Sequence, residues 1–338
     1  MTTHECRECA TYNRIQHTLD ELDKRVKHIK PLPGEVPELK GIEIFGETLP
    51  QEGTIGGDHI IYINFNKRYD IDARIRRKEE KWQDEMKEFS AEEQRNNPYI
   101  LKKKQEKDKI IKSLNENRER AGVLVADVKG HDRSGSFIAG MLHQSFLTGV
   151  LYELKNYGKV TTKLFEKINT RFYNSSSMDD FFTMIYGEIF ESGKFLFVSA
   201  GHPDPLVFCN KTDHFREIPI DKIVRYPPIG IMPSQKDVDA TTNKNVIGYK
   251  QAYLVNKIDL MGDGDLLLLY TDGLSELENS KGEAFFPDHL EKIFKDKKTL
   301  SAKEIGAAVK KEIYDFNKNP DDDITYVIIK KLTPPESL

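Results

Sequence analysis

Four acidic stations, far apart in the chain, each stand where an apolar, strand-like run meets a glycine turn or a carboxylate cluster. They are Gly56-Gly57-Asp58, Val125-Ala126-Asp127-Val128-Lys129-Gly130-His131, Tyr270-Thr271-Asp272-Gly273 and Asp321-Asp322-Asp323-Ile324-Thr325. An ionised carboxylate buried without a partner costs several kcal/mol, so few folds accept such stations unless something offsets their charge. Carboxylates at strand ends, with glycine letting the backbone come close, form the oxygen cage that hard divalent cations need. Zinc or copper would want clustered His or Cys, which these stations lack. Each station alone has a plainer reading. Asp272-Gly273 after a strand is a turn signal, Gly56-Gly57-Asp58 fits a hairpin turn, and Asp321-Asp322-Asp323 fits a solvated loop. Taken together, the four point to metal-assisted phosphate chemistry.

Charge and composition exclude several other classes. Lys plus Arg total 51 against 55 for Asp plus Glu, a net charge of -4 that gives no whole-protein field for nucleic acid. No apolar run approaches the roughly 20 residues that span a bilayer. The start, Met1-Thr2-Thr3-His4-Glu5-Cys6, has neither a basic nor an apolar signal region, and three cysteines do not make a disulfide framework. A cytoplasmic protein with reduced thiols is expected. His4, Cys6 and Cys9 offer three zinc ligands where a closed structural site wants four, so a terminus with ordinary thiols is the favoured reading.

Periodicity lays out the chain. Ile15, Leu19, Leu22, Val26 and Ile29 recur at helical spacing between Thr11 and Lys30, and Pro31-Leu32-Pro33-Gly34 opens a linker to Lys40. The apolar stripe of such a helix has to pack on the domain or on a second copy. Ile42 to Leu49 and His59 to Phe65 read as strands. From Lys67 to Arg120 the sequence turns highly charged, broken at Asn96-Asn97-Pro98, and reads as two charged helices inserted between core strands. Beyond it come a strand at Gly122 to Ala126, helices at Phe137 to Leu154 and about Thr162 to Tyr173, and a hairpin over Phe181 to Phe190 and Lys194 to Ser199. Strands follow at Leu206 to Phe208, Gln251 to Val255 and Leu266 to Tyr270. Helices at Pro287 to Phe294 and Ala302 to Phe316, the latter opened by the capping box Ser301 to Glu304, precede a last strand at Ile324 to Lys330.

The ordered motifs carry a family resemblance. Gly56-Gly57-Asp58, Asp127-Val128-Lys129-Gly130-His131, Phe182-Thr183-Met184-Ile185-Tyr186-Gly187, Ala200-Gly201-His202-Pro203-Asp204-Pro205-Leu206, Gly264 to Gly273 and Asp322-Asp323-Ile324-Thr325 resemble the SpoIIE/RsbU branch of the metal-dependent (type 2C, PPM) serine/threonine protein phosphatases. The resemblance implies an α+β, four-layer αββα sandwich of two antiparallel sheets flanked by helices, with the charged segment inserted. The domain would occupy residues 41–333, with 67–120 as the insertion, 1–40 as helix and linker, and 334–338 as a tail. It further implies two Mn²⁺ or Mg²⁺ ions, Asp127 bridging them, Asp58 and the Val128 carbonyl on one, and Asp272 and Asp322 on the other. Asp323 takes a neighbouring role. A water activated between the ions would attack phosphorus in line. His131, four residues beyond Asp127, is the candidate general acid for the leaving serine oxygen, with a backbone-bonded helix-entry histidine as the equal alternative. His202 reads as a loop-shaping residue.

The sequence also departs from the branch. His59-Ile60-Ile61 stand where many relatives have an aromatic residue and a further Asp, Asp132-Arg133 replace a glycine and a small apolar residue, and the Asp58 to Asp127 interval is longer than usual. The expected function is a phosphoserine/phosphothreonine protein phosphatase, with a phosphorylated STAS-type anti-sigma-factor antagonist as the substrate the resemblance implies. A regulatory partner or a homodimer contact is expected through the N-terminal helix or the charged insertion. The alternative is a catalytically weak or inactive binding module on the same fold. A two-metal nuclease or small-phosphoester hydrolase would call for a basic groove or nucleotide-binding glycines, and neither is evident.

Overall fold

Long apolar runs such as Leu266-Leu267-Leu268-Leu269 fit a strand covered on both faces, and the architecture has that form. A computed structural model describes residues 35–51, 56–128, 133–175, 181–216, 218–235, 237–239, 247–259 and 261–333. The sequence-predicted helix between Thr11 and Lys30 and the His4, Cys6, Cys9 group lie outside the described residues, as do His131 and Asp132. In chain order the strands are β1 (Ile42–Leu49), β2 (His59–Ile63), β3 (Arg120–Val128), β4 (Phe182–Phe190), β5 (Phe195–Ala200), β6 (Leu206–Cys209), β7 (His214–Arg216), β8 (Asn256–Ile258), β9 (Leu266–Tyr270) and β10 (Ile324–Lys331). They form two five-stranded antiparallel sheets, ordered β1-β10-β9-β6-β7 and β2-β3-β4-β5-β8.

The helices are α1 (Phe65–Arg68), α2 (Ile71–Met86), α3 (Ala91–Asn96), α4 (Pro98–Glu116), α5 (Arg133–Tyr157), α6 (Thr162–Ser175), α7 (Asp272–Ser275), α8 (Asp288–Lys297) and α9 (Ala302–Phe316). Alternate residues of each strand feed different cores, as a period of two dictates. Val123, Val125, Ile185, Leu267, Leu269, Val327 and Ile329 meet between the sheets. Leu124, Ala126, Met184 and Tyr186 face α5 and α6 through Leu142, Phe146, Leu164 and Phe165. Leu266, Leu268, Tyr326 and Ile328 face α8 and α9 through Leu290, Phe294, Ile305 and Val309. The result is the expected αββα sandwich. No helix among the described residues is long and apolar enough to cross a membrane.

Two expectations are corrected. The charged segment holds the helices α2, α3 and α4 rather than two. Ser90 and Glu93 form a capping box that starts α3, and Asn97 caps α4 with Pro98 in its first turn. The segment from Gln251 to Val255 is not a strand; β8 begins one residue beyond it. Side chains rather than a neighbouring strand satisfy its backbone donors. The Tyr253 amide donates to Glu166 Oε1 at 2.6 Å, and the Leu254 amide donates to the Tyr226 hydroxyl at 2.8 Å. The same face of α6 holds the long β7–β8 connection elsewhere, Asn169 accepting from the Gly230 amide and donating to the Met232 carbonyl.

Candidate metal centre

Antiparallel pairing brings the four stations to one edge of the sandwich. In the second sheet His59 opposes Ala126, so Asp58 at the head of β2 lies beside Asp127 near the foot of β3. In the first sheet Tyr270 opposes Tyr326, so Asp272 beyond β9 lies beside the entry to β10, where Asp322 and Asp323 stand. Strand parity turns Asp127 inward, on the side of Val123 and Val125 that faces the opposite sheet. Val128 is buried at the last position of β3, beside Phe182.

Hydrogen bonds then join the two sheets across this edge. The buried Thr271 hydroxyl donates to Asp58 Oδ2 at 2.7 Å, while Thr271 Oγ1 accepts the Thr325 amide at 2.9 Å. Asp323 accepts from the Gly57 amide at 2.6 Å and the Gln51 amide at 2.7 Å. The glycines follow from this packing. A Cβ on Gly56 would stand 1.8 Å from Asp323 Oδ2, and one on Gly273 would stand 2.1 Å from the Asp323 carbonyl oxygen. Both station glycines are therefore required by the close approach of Asp323. Asp272 Oδ1 accepts the Gly273 amide at 3.0 Å, and Asp322 Oδ1 accepts the Asp323 amide at 2.8 Å.

The electrostatics are those of mutually repelling carboxylates. Burial, then the charges of Asp272 and Asp322, push the Asp127 carboxyl up to about 7. Burial, then the charge of Asp127, hold Asp58 well above the usual carboxylate range, although the Thr271 hydroxyl pulls it back. Among the described residues, no three His, Cys, Asp or Glu side chains are gathered closely enough to hold a metal ion as they stand. The carboxylates act on one another by charge and, between Asp127 and Asp272, by a side-chain hydrogen bond, while Thr271 and the amides of Gly57, Gln51, Gly273 and Asp323 are among their other partners. An all-oxygen donor set with surplus negative charge fits Mg²⁺ or Mn²⁺, whose binding would relieve the repulsion.

The sequence reading left Thr271 and Thr325 without a role. Their signal was visible in Tyr270-Thr271-Asp272 and Asp323-Ile324-Thr325, a hydroxyl next to or near each carboxylate. His202 is buried on the loop after β5, its Nδ1 2.8 Å from Thr183 Oγ1, and burial brings it down to about 3, so its ring is neutral. Thr183 in turn opposes Asp127 in the ladder.

Comparison with known proteins agrees with this geometry. The SpoIIE family, described as stage II sporulation protein E, matches residues 117–332. Three solved structures share the fold. The SiaA-PP2C domain of Pseudomonas aeruginosa has 13% identity and a TM-score of 0.59, covering 95% of this chain and 98% of that one. The RsbU and RsbW domains of Rv1364c from Mycobacterium tuberculosis have 18% identity and a TM-score of 0.55, covering 91% and 66%. The PP2C phosphatase domain of SpoIIE from Bacillus subtilis, solved with a fragment of its regulatory domain, has 14% identity and a TM-score of 0.53, covering 87% and 63%. This chain therefore spans just under two thirds of the length of the Mycobacterium and Bacillus proteins. No curated protein matches by sequence. The chain belongs to the SpoIIE family, and its fold is that of the PP2C phosphatase domains.

Proposed function

We propose that this protein removes phosphate from phosphoserine or phosphothreonine of a protein substrate with two Mn²⁺ or Mg²⁺ ions at the edge described above. One observation carries the reading: Asp58, Asp127, Asp272 and Asp322 sit on four strand ends at one edge, cross-linked between sheets by the Thr271–Asp58 and Asp323–Gly57 hydrogen bonds. Asp127 would bridge the ions, with Asp58 and the Val128 carbonyl on one and Asp272 and Asp322 on the other. When bound, the cations supply Lewis acidity, neutralising phosphoryl oxygens and making water a nucleophile near neutral pH. The protein's own part is positioning. Thr271 aims Asp58, and Asp323 fixes the Gly56-Gly57 turn from which Asp58 projects. His131 is the proposed proton donor to the leaving serine oxygen.

The substrate class rests on the family resemblance: a phosphorylated STAS-type anti-sigma-factor antagonist. We assign the phosphatase domain to residues 41–333, because the edge strand β1 begins at Ile42 and β10 ends at Lys331. The inserted arm at 67–120 and the segment 1–40 are the surfaces for a regulatory partner or a second copy.

Hydrolysis of a chromogenic aryl phosphate with added Mn²⁺ tests the reading, comparing wild type with Asp58→Asn and Asp272→Asn. Loss of an outer partner of a metal ligand already costs about 10- to 100-fold, so each ligand variant should fall by more than about 100-fold. A folded wild type without turnover in any divalent ion would favour the binding-module alternative. Phosphate release from a STAS phosphoprotein, set against an unrelated phosphoprotein, then tests the substrate class.

A further inference from the structure

β2 carries one polar side chain on its helix-facing side at the edge of the centre. His59 shares a face with Ile61 and Ile63, which pack toward α5, and it is buried. Its Nε2 lies 2.9 Å from Nδ1 of His143 on α5, the rings meeting edge-on with centroids 5.1 Å apart. One nitrogen has to donate and the other accept, so the contact sets the tautomers of both rings together. Arg68 and Glu35 pair at 2.8 Å, and their charges act on the His143 imidazole in opposite directions.

The position of this pair gives it leverage. His59 follows Asp58 directly and forms the first rung of the β2–β3 ladder, opposite Ala126, the neighbour of Asp127. Asp58 is thus anchored twice. Thr271 reaches it from the first sheet, and the His59–His143 contact ties its backbone to the helix layer. Apolar packing would serve if burial alone were needed here; two imidazoles in register add direction. We propose that His143 is a positioning residue for the carboxylate of Asp58, acting through His59. This rests on the reading of Asp58 as a metal ligand.

Calorimetric titration with Mn²⁺, together with hydrogen exchange of residues 56–63 in chelator, tests the assignment on the full chain. His143→Phe keeps a ring and removes the hydrogen bond; it should weaken Mn²⁺ binding about ten-fold and speed exchange across 56–63. His143→Gln, which can still exchange a hydrogen bond, should recover most of both. His59→Phe breaks the same bond from the other side and replaces His143→Phe if that variant does not fold. Wild-type Mn²⁺ affinity in the Phe variant, or equal losses in Phe and Gln, overturns the proposal. If wild type itself binds no Mn²⁺, the ligand reading of Asp58 fails separately. Exchange then decides the pair's role, and unchanged exchange in His143→Phe overturns it.

Discussion

β3 has a charge cluster at each end, one buried and one partly open to solvent, and the two are built on opposite terms. At its start, Arg120 and Glu188 are both buried and pair at 2.8 Å, with Asn117 Oδ1 accepting from the guanidinium and the Tyr186 hydroxyl donating to the other Glu188 oxygen. The rings of Phe65 and Phe190 each lie 5.6 Å from the guanidinium carbon. Seven residues on, roughly 23 Å along the strand, Asp127 faces Asp272, Asp322 and Asp58. One end closes its charge balance with the chain's own cation. The other assembles like charges, with the Thr271 hydroxyl and the Gly57 and Gln51 amides among their hydrogen-bond partners. Under the proposed ligand set, the second end is where positive charge would be supplied by bound cations.

Four changes would break or sharpen that contrast. The largest effect is expected for Arg120→Met, which strands Glu188 and should cost about 3–5 kcal/mol in denaturant unfolding, most of it recovered in Arg120→Met with Glu188→Leu. If the single variant is as stable as wild type, the first cluster is not the balanced one described. Next is Gly56→Ala. The added methyl takes the place of Asp323 Oδ2, and losing that carboxylate's bonds to the Gly57 and Gln51 amides should cost about 1.5–3 kcal/mol, with weakened Mn²⁺ binding in the same preparation.

Asp127→Asn should have the opposite sign to Arg120→Met. In chelator it removes repulsion and should raise stability by about 1 kcal/mol, the scale of one like-charge pair at 4 Å in water-like surroundings. With saturating Mn²⁺ the order should reverse, and a thermal shift that keeps one sign in both buffers would contradict the metal centre. The smallest effect is Ser301→Ala, remote from both ends. It removes the cap of α9, where Ser301 Oγ accepts the Glu304 amide at 3.3 Å, and should cost about 1 kcal/mol with Mn²⁺ affinity unchanged.

Much of the architecture was legible because apolar runs of strand length stand beside the acidic stations. The β9 and β10 assignments follow from that pattern alone, as does α9 from its capping box. The 251–255 segment misled because Tyr253 and Leu254 have strand composition, whereas their partners, Glu166 and Tyr226, are distant in sequence and satisfy the backbone by side chain. At the centre, the glycines were legible as permissive positions. Their cause, the carboxylate of Asp323 filling the space beside Gly56, depends on the approach of two sheets that no local pattern encodes. The His59–His143 contact was invisible for the same reason, since 84 residues separate its partners.

Asp58 and Asp127 belong to one sheet, Asp272 and Asp322 to the other, and the Asp323 carboxylate is the rivet between them. A donor set split across two layers acts as a caliper whose jaws are the sheets themselves. Any side chain that changes the spacing of the Val125, Ile185, Leu269 and Val327 layer will alter the gap between its jaws. With the ligands proposed above, cation affinity would be a gauge of how the two halves are seated, and distant core substitutions would retune it without touching a ligand.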